Sequence, residues 1–543
     1  MFHHAEEVEM MWDTTTDVLI VGFGAAGACA ALEARAAGAD VLAVDRFNGG
    51  GATELSGGIV YAGGGTRIQR EAGIDDSPDA MYTYLAREVG DAVRPETLRS
   101  FVDSSPEMID WLMDHGVPFE ASVCPYKTSY PDNRYYLYYS GSECSGEFRA
   151  LTPPVQRGHR AKGRGASGKM IYQPLARAAL DAGVRFQRHT RVLALESDTD
   201  GRIIGVRARS MSSAPLAVRK RFAAMAAVAA KPGIYYPPLR RLLEHRLDRL
   251  ERRYAREVRI RARRGVILCA GGYVANQHLL ARHAPGYTGG LALGTTGDDG
   301  SAIELAVAAG AVADRMDNVS AWRFIAPPSA FYSGLLVNEK GHRFIDETRY
   351  GAAVGNALVR GQGGKGWLLV DAELMRRARE QLAGEAIWFQ RLQAESLLRT
   401  SAIRADTLHD VARRAGICPD GLTATIQAHN EAIARDEPDP MNKPREFTRP
   451  LATGPFTLLD VSVRPKLTNP CPMFTLGGLI VDETTGAVQS ATHEPIPGLY
   501  AAGRTAIGIC SESYVSGLSI ADCVYSGRRA GRAVSNRLAE IGD

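Results

Sequence analysis

Residues 17–45 read DVLIVGFGAAGACAALEARAAGADVLAVD, and this stretch decides the fold. The apolar run Val18–Val21 predicts a buried parallel strand. Gly22, Gly24 and Gly27 follow at once in G-x-G-x-x-G spacing, an Ala-rich helix runs to about Ala37, and a second apolar strand, Val41–Val44, ends in Asp45. Each piece has a mechanical reason. Gly22 permits the tight turn, Gly24 lets a pyrophosphate touch backbone, and Gly27 lets helix pack on strand. The helix N-terminus, with Ala26 in it, offers free N–H groups and a positive dipole to phosphates. Asp45, followed by Arg46, sits where a carboxylate binds a ribose hydroxyl. A Gly-rich turn in some other α/β protein would leave Asp45 unexplained.

Outward from this core the glycines keep clustering, 57 in all. NGGGATELSGG at 48–58 is a second Gly/Ser loop and YAGGGT at 61–66 a third. NAD enzymes rarely continue this way, whereas a flavin needs backbone along its ribityl chain and ring edge as well as at its pyrophosphate. The first of these loops supplies Gly51, Ala52, Thr53, Ser56, Gly57 and Gly58 as candidate contacts. GVILCAGG at 265–272 predicts a buried strand closing with Ala270, Gly271 and Gly272. GLYAAGR at 498–504 predicts another, closing with Gly503 and Arg504. Asp299 belongs to the same set. Gly517, Leu518, Ser519 and Ile520 open a helix whose N-terminus suits negative charge on a reduced flavin. The expected cofactor is FAD, bound without a covalent link; no metal is expected.

A chain of 543 residues is too long for one ordinary core. Apolar residues at 45% and charged residues at 23% exclude disorder, and a net charge of +3 excludes little. The eight cysteines show no C-x-x-C pair, which predicts free, mostly buried thiols in a reducing compartment. The acidic N-terminus does not read as a secretory signal, and no run reaches the length of a spanning helix. The expected location is the cytoplasm, with peripheral attachment to a membrane as an option.

Several segments together resemble the fumarate reductase/3-ketosteroid dehydrogenase flavoproteins, and most of all their Δ4-(5α) branch. They are LSGGIVYAGGGT at 55–66, DDSPDAM at 75–81, YSGSE at 139–143, RGH at 157–159, FTLGG at 474–478 and YVSG at 514–517. The resemblance covers nearly the whole chain apart from residues 1–14 and an insert near 210–262. It implies a Rossmann-like FAD-binding domain of α/β class, split into 1–313 and 464–543 around an α+β cap domain at 314–463. It also implies a steroid-like substrate and desaturation of a 3-ketosteroid at the 4,5-position. In that chemistry a base removes the proton α to the carbonyl and the neighbouring carbon gives hydride to flavin N5. The Tyr-x-Ser motif of the branch matches Tyr514, as base, and Ser516, as relay. A second functional tyrosine corresponds more loosely to Tyr350.

Alternatives stay open at this level. Tyr514 also reads as a core aromatic with a satisfied hydroxyl, and His159 as a structural residue. Fumarate reductases clamp a dicarboxylate with His and Arg, but Phe474 stands at the His position and the Arg-Gly-Glu-Gly-like turn is missing. That departure disfavours a reductase of an unsaturated acid. A Δ1-dehydrogenase places Gly four residues after Tyr, whereas Gly517 is three after Tyr514. A flavoprotein electron carrier would not need the cap. Nothing names the electron acceptor.

The insert is read from its residues alone. Segment 219–264 carries 15 Lys/Arg against 4 Asp/Glu. A helix is expected from about Pro238, with Leu239, Leu242, Leu243, Leu247, Leu250, Tyr254 and Val258 as an apolar stripe and Arg240, Arg241, Arg246, Arg249, Arg252, Arg253 and Arg256 on the other faces. Such a helix can lie on an anionic membrane, pack on a second subunit, or pack on its own domain. Nucleic acid is not expected, because no recognised binding motif accompanies the charge.

Overall fold

The computed structural model describes residues 11–463 and 470–536. The first ten residues and the domain junction expected at 463/464 fall at or beyond those limits. Strand β1 (Thr14–Val21), helix α1 (Ala25–Ala36) and strand β2 (Val41–Asp45) form as the sequence predicts, with β1 longer at its start. Their core positions are apolar or small, so β1 and β2 are buried and α1 exposes little. The sheet continues with β3 (Arg185–Arg188), the antiparallel pair β4 (Thr190–Ser197) and β5 (Ile203–Ser210), then β6 (Arg256–Leu268), β7 (Ala487–Gln489) and β8 (Pro495–Ala501).

The order across the main sheet is β3-β2-β1-β6-β8-β7, parallel from β3 to β8. Strand β6 switches partner along its length: Arg256–Arg261 pairs antiparallel with β5, and Val266–Leu268 pairs parallel with β8. The carboxyl ends of β1, β2, β6 and β8 therefore meet at one edge, where an open α/β sheet binds ligands. Helix α1 lies against the C-terminal helix Leu518–Asn536. Gly527 and Gly531 let the two axes approach, since a Cβ at either would stand 2.4 Å from the carbonyl of Ala26 or Ala30.

A second body is built on a four-stranded antiparallel sheet, ordered Leu335–Val337, Trp367–Val370, Phe456–Asp460 and Ala402–Ala405, with helices packed around it. The chain leaves for this cap and returns along paired strands. Val319–Ala321 pairs with Met473–Thr475, and Ala313–Asp314 with Gly478–Leu479.

The basic insert forms a helical hairpin, α2 (Leu216–Ala230) and α3 (Pro237–Tyr254), between β5 and β6. It differs from expectation in three ways. Strand β6 begins at Arg256, so Arg256 and Val258 belong to the central sheet rather than to the helix. Leu242 points outward, 49% exposed, because it lies about 100° from Leu243 on the helical wheel. Arg240 is buried instead of solvated, bonded to Glu244 and to the carbonyl of Ala292. The eight cysteines are free, and six of them are buried. No helix among the described residues is long and apolar enough to cross a membrane.

Candidate active site

One cavity runs from the β1–α1 turn to the cap. Its first end is polar. Asp45 is half-buried at the tip of β2 and accepts the backbone N–H groups of Phe23 (3.0 Å) and Phe47 (2.7 Å). Burial raises its pKa, and those N–H groups oppose the shift. Arg46 is pinned by three carboxylates: Asp248 at 2.6 Å, Glu251 at 3.2 Å and Asp299 at 3.3 Å. Two of the three belong to α3, so the insert closes this end. It is anchored there by Phe47, which packs among Met211, Phe222, Leu243 and Leu247.

The other end is aromatic. Tyr514 lies parallel to Trp322, with centroids 5.6 Å apart and planes at 11°. Phe474 meets Tyr514 edge-on at 4.9 Å, and Tyr350 meets it at 6.1 Å. Phe324 completes the box against Trp322 and Tyr350. The sheet domain contributes Tyr514, and the cap side contributes Trp322, Phe324 and Tyr350. All five rings line the cavity, and no histidine does so among the described residues. Burial raises the phenol pKa of Tyr514, while the Gly517 N–H, which donates to its oxygen at 3.3 Å, and the nearby Arg504 lower it. Ser516 joins two other tyrosines. Its Oγ accepts from the Tyr138 hydroxyl at 3.4 Å, and it eases the burial of the Tyr350 phenol.

Between the two ends lies Arg504. It is buried, paired with Asp298 at 2.6 Å and stacked over Phe474 at 5.1 Å. Its Nη1 is buried with no hydrogen-bond partner in the protein.

The FAD binding domain family matches residues 17–517. The 3-oxo-5-alpha-steroid 4-dehydrogenase of Comamonas testosteroni is 35% identical over 91% of this chain and 93% of its own. The chain belongs to this FAD-binding family. A crystal structure of 3-ketosteroid-Δ4-(5α)-dehydrogenase from Rhodococcus jostii RHA1, in complex with 4-androstene-3,17-dione, superposes with a TM-score of 0.81 at 31% identity. That match covers 97% of this chain and 98% of the other. The 3-oxosteroid 1-dehydrogenase of Mycolicibacterium smegmatis is more distant, 27% identical over 92% of this chain and 93% of its own.

The cavity fits the FAD that this flavoprotein family takes. At Gly24 an added Cβ would meet nothing nearer than 3.7 Å, so protein packing does not require a glycine there. A group pressed against that backbone does require it, and the unpaired Nη1 of Arg504 needs an acceptor of the kind a flavin carries. Of the residues expected at the cofactor, Gly22, Gly24, Ala26, Asp45, Arg46, Gly51, Ala52, Thr53, Ser56, Gly57, Gly58, Ala270, Gly271, Asp299, Gly503, Arg504, Ser519 and Ile520 line the cavity. Gly27, Gly272, Gly517 and Leu518 stand behind the wall. Gly27 permits the close turn, since its Cβ would fall 2.1 Å from the carbonyl oxygen of Gly22. His159 is wholly buried away from the cavity, bonded to Thr66 at 2.8 Å and to the carbonyl of Arg157 at 3.0 Å. Sequence reasoning missed Asp298, Trp322 and Phe324, and it read Tyr138 as lining the substrate slot or packing a loop, with no catalytic part. Asp298 carried a signal, a second acid beside Asp299 in the Gly/Thr-rich turn at 294–300. The two cap aromatics carried none.

Proposed function

We propose that this flavoprotein desaturates a 3-ketosteroid between C4 and C5, with Tyr514 as the base. The observation that carries the reading is the Tyr514 phenol, held in an aromatic box on the cavity that begins at the dinucleotide turn. Its oxygen accepts the Gly517 N–H at the start of the C-terminal helix, a place that stabilises negative charge. Of the three tyrosines around Ser516, Tyr514 alone has both that donor and an arginine lowering its pKa. The Ser516–Tyr138–Tyr350 group lies beside it and supplies hydroxyls able to pass a proton on or to hold the ketone oxygen.

Trp322, Phe324 and Phe474 bind a flat apolar body and exclude water. Bound FAD would supply the acceptor for the hydride from the carbon next to the deprotonated one. Gly24, Asp45, Arg46 and Thr53 would hold its dinucleotide half, and Gly271, Arg504 and Ser519 its flavin half. The relatives named for action on 3-oxo-5α-steroids support the 4,5-position over the 1,2-position. Phe474 at the box, with no histidine lining the cavity among the described residues, disfavours a dicarboxylate substrate. The cap and the box are superfluous in an electron carrier. We assign 1–313 and 464–543 to the FAD domain and 314–463 to the cap, with the paired strands at 313–321 and 473–479 as the seam. The membrane is the second partner we assign, since a sterol-like ketone dissolves in lipid.

The test is anaerobic addition of a saturated 5α-3-ketosteroid to the purified holoprotein. The flavin absorbance bleaches and the product carries the 4-ene-3-ketone chromophore. A 1-ene product would move the reaction to the other branch, and no bleaching with any 3-ketosteroid would end the reading.

A further inference from the structure

We infer that the outer face of the α2–α3 hairpin docks the protein on an anionic membrane surface. This deepens the partner side of the proposed function and is independent of which bond is desaturated.

Helix α3 sorts its charges by face. Arg240, Leu243, Leu247 and Glu251 fall on one side at 100° per residue and are buried. All three acids are taken by inward partners: Glu244 pairs with Arg240, and Asp248 and Glu251 with Arg46. Arg241, Arg246, Arg249, Arg252 and Arg253 form the opposite face, all exposed, and none enters an ion pair among the described residues. Helix α2 has no acid, and it exposes Lys220 and Arg221, with Lys231 following at the bend. The hairpin thus shows eight exposed cations and no exposed acid. A merely solvated helix face mixes its signs, as the cap does where Arg376 pairs with both Glu373 and Glu380.

The hairpin also exposes apolar groups. Of the eleven large hydrophobic side chains exposed among the described residues, five lie here: Leu216, Val228, Tyr235, Tyr236 and Leu242. Tyr235 and Tyr236 sit at the bend, where an amphipathic ring suits the headgroup level. Leu242 stands among the exposed arginines. Cations around inserting tyrosine and leucine are what a lipid interface with anionic headgroups selects. A second copy packed by a two-fold axis on the same face would bring like charge against like. A nucleic acid would use the cations but leave Leu216, Val228 and Leu242 without a partner.

Deleting the hairpin is a poor test, because Asp248 and Glu251 would leave Arg46 and the cofactor end would open. Point variants of the full-length holoprotein avoid that problem. The probe is co-sedimentation with vesicles of phosphatidylcholine alone or mixed with phosphatidylglycerol. The protein pellets with the mixed vesicles at low salt and is released at high salt. The triple variant Arg246→Gln/Arg249→Gln/Arg253→Gln partitions about 10²-fold less, from roughly fivefold per basic side chain. Tyr236→Ser/Leu242→Ser binds more weakly with its salt dependence unchanged. Both variants keep the flavin spectrum, since none of these side chains touches Arg46 or the cavity. Holoprotein that ignores mixed vesicles at low salt overturns the inference, as does a triple variant that pellets like the parent. A duplex DNA that binds in place of vesicles, or a dimer that the triple variant dissolves without any vesicle binding, overturns it too.

Discussion

The two ends of the cavity are closed by opposite means. At the dinucleotide end, charge does the work: Arg46 sits among Asp248, Glu251 and Asp299, beside backbone that glycine keeps open. At the reacting end, five aromatic rings close on one another and the phenols are buried with few polar contacts. The contrast separates holding from reacting. The first end offers a charged group open backbone beside a salt-bridged arginine. The second makes ionisation of every phenol costly, and least so at Tyr514, where the Gly517 N–H and Arg504 oppose the effect of burial, so proton transfer has one favoured place.

The largest effect expected belongs to the first end. Gly24→Val places side-chain atoms where the pyrophosphate must lie, and the purified variant should be folded but colourless. Near-stoichiometric FAD released on denaturing that variant would show that the cavity is not the dinucleotide site.

At the second end, Tyr514→Phe should lower kcat by at least about 10²-fold, the low end for loss of a general base, with flavin content unchanged. Ser516→Ala should cost about tenfold, because Ser516 reaches Tyr138 and Tyr350 rather than Tyr514. If Tyr514→Phe turns over normally while Tyr350→Phe does not, the base lies on the cap side of the box.

A smaller effect sharpens the ionic end. Glu251→Gln removes one of three partners of Arg46 and should weaken FAD binding to the apoprotein about tenfold, on the scale of one charged hydrogen bond. Titration of apoprotein with FAD reads this directly, and kcat at saturating FAD should stay unchanged. A fall in kcat instead would mean that the two ends are not separable.

The smallest effect tests a residue that belongs to neither end. Burial, only partly offset by the Arg157 carbonyl and the Asp76 charge, lowers the pKa of His159 from 6.5 to about 4. The folded state thus binds fewer protons than the unfolded state between these values. Its contribution is present above pH 6.5 and is lost as pH falls towards 4, on the order of 3 kcal/mol at most. His159→Gln should flatten thermal stability across that window and leave turnover at neutral pH untouched. A variant with normal stability and no turnover would return His159 to the active site.

How much of this was legible in the sequence follows from the range of the forces involved. The β1–α1–β2 unit was readable because its constraints are local. Glycine spacing, strand apolarity and the terminal acid act within 29 residues, and the structure keeps their order. The arginines of α3 were visible as a charge excess, but their sorting was not. That Arg240 turns inward and Leu242 outward depends on which face meets Phe47 and the loop at Ala292, contacts 52 residues or more away from Arg240. The aromatic box was the least legible part. Trp322 and Phe324 occupy an unremarkable cap stretch, and they acquire a role only when strand Val319–Ala321 pairs with Pro472–Thr475 and brings Phe474 and Tyr514 against them. Sequence alone therefore determined the cofactor fold, since backbone conformation and burial periodicity are written residue by residue. Which side chains surround the reacting group was decided by tertiary structure, because it depends on contacts between segments that share no local pattern.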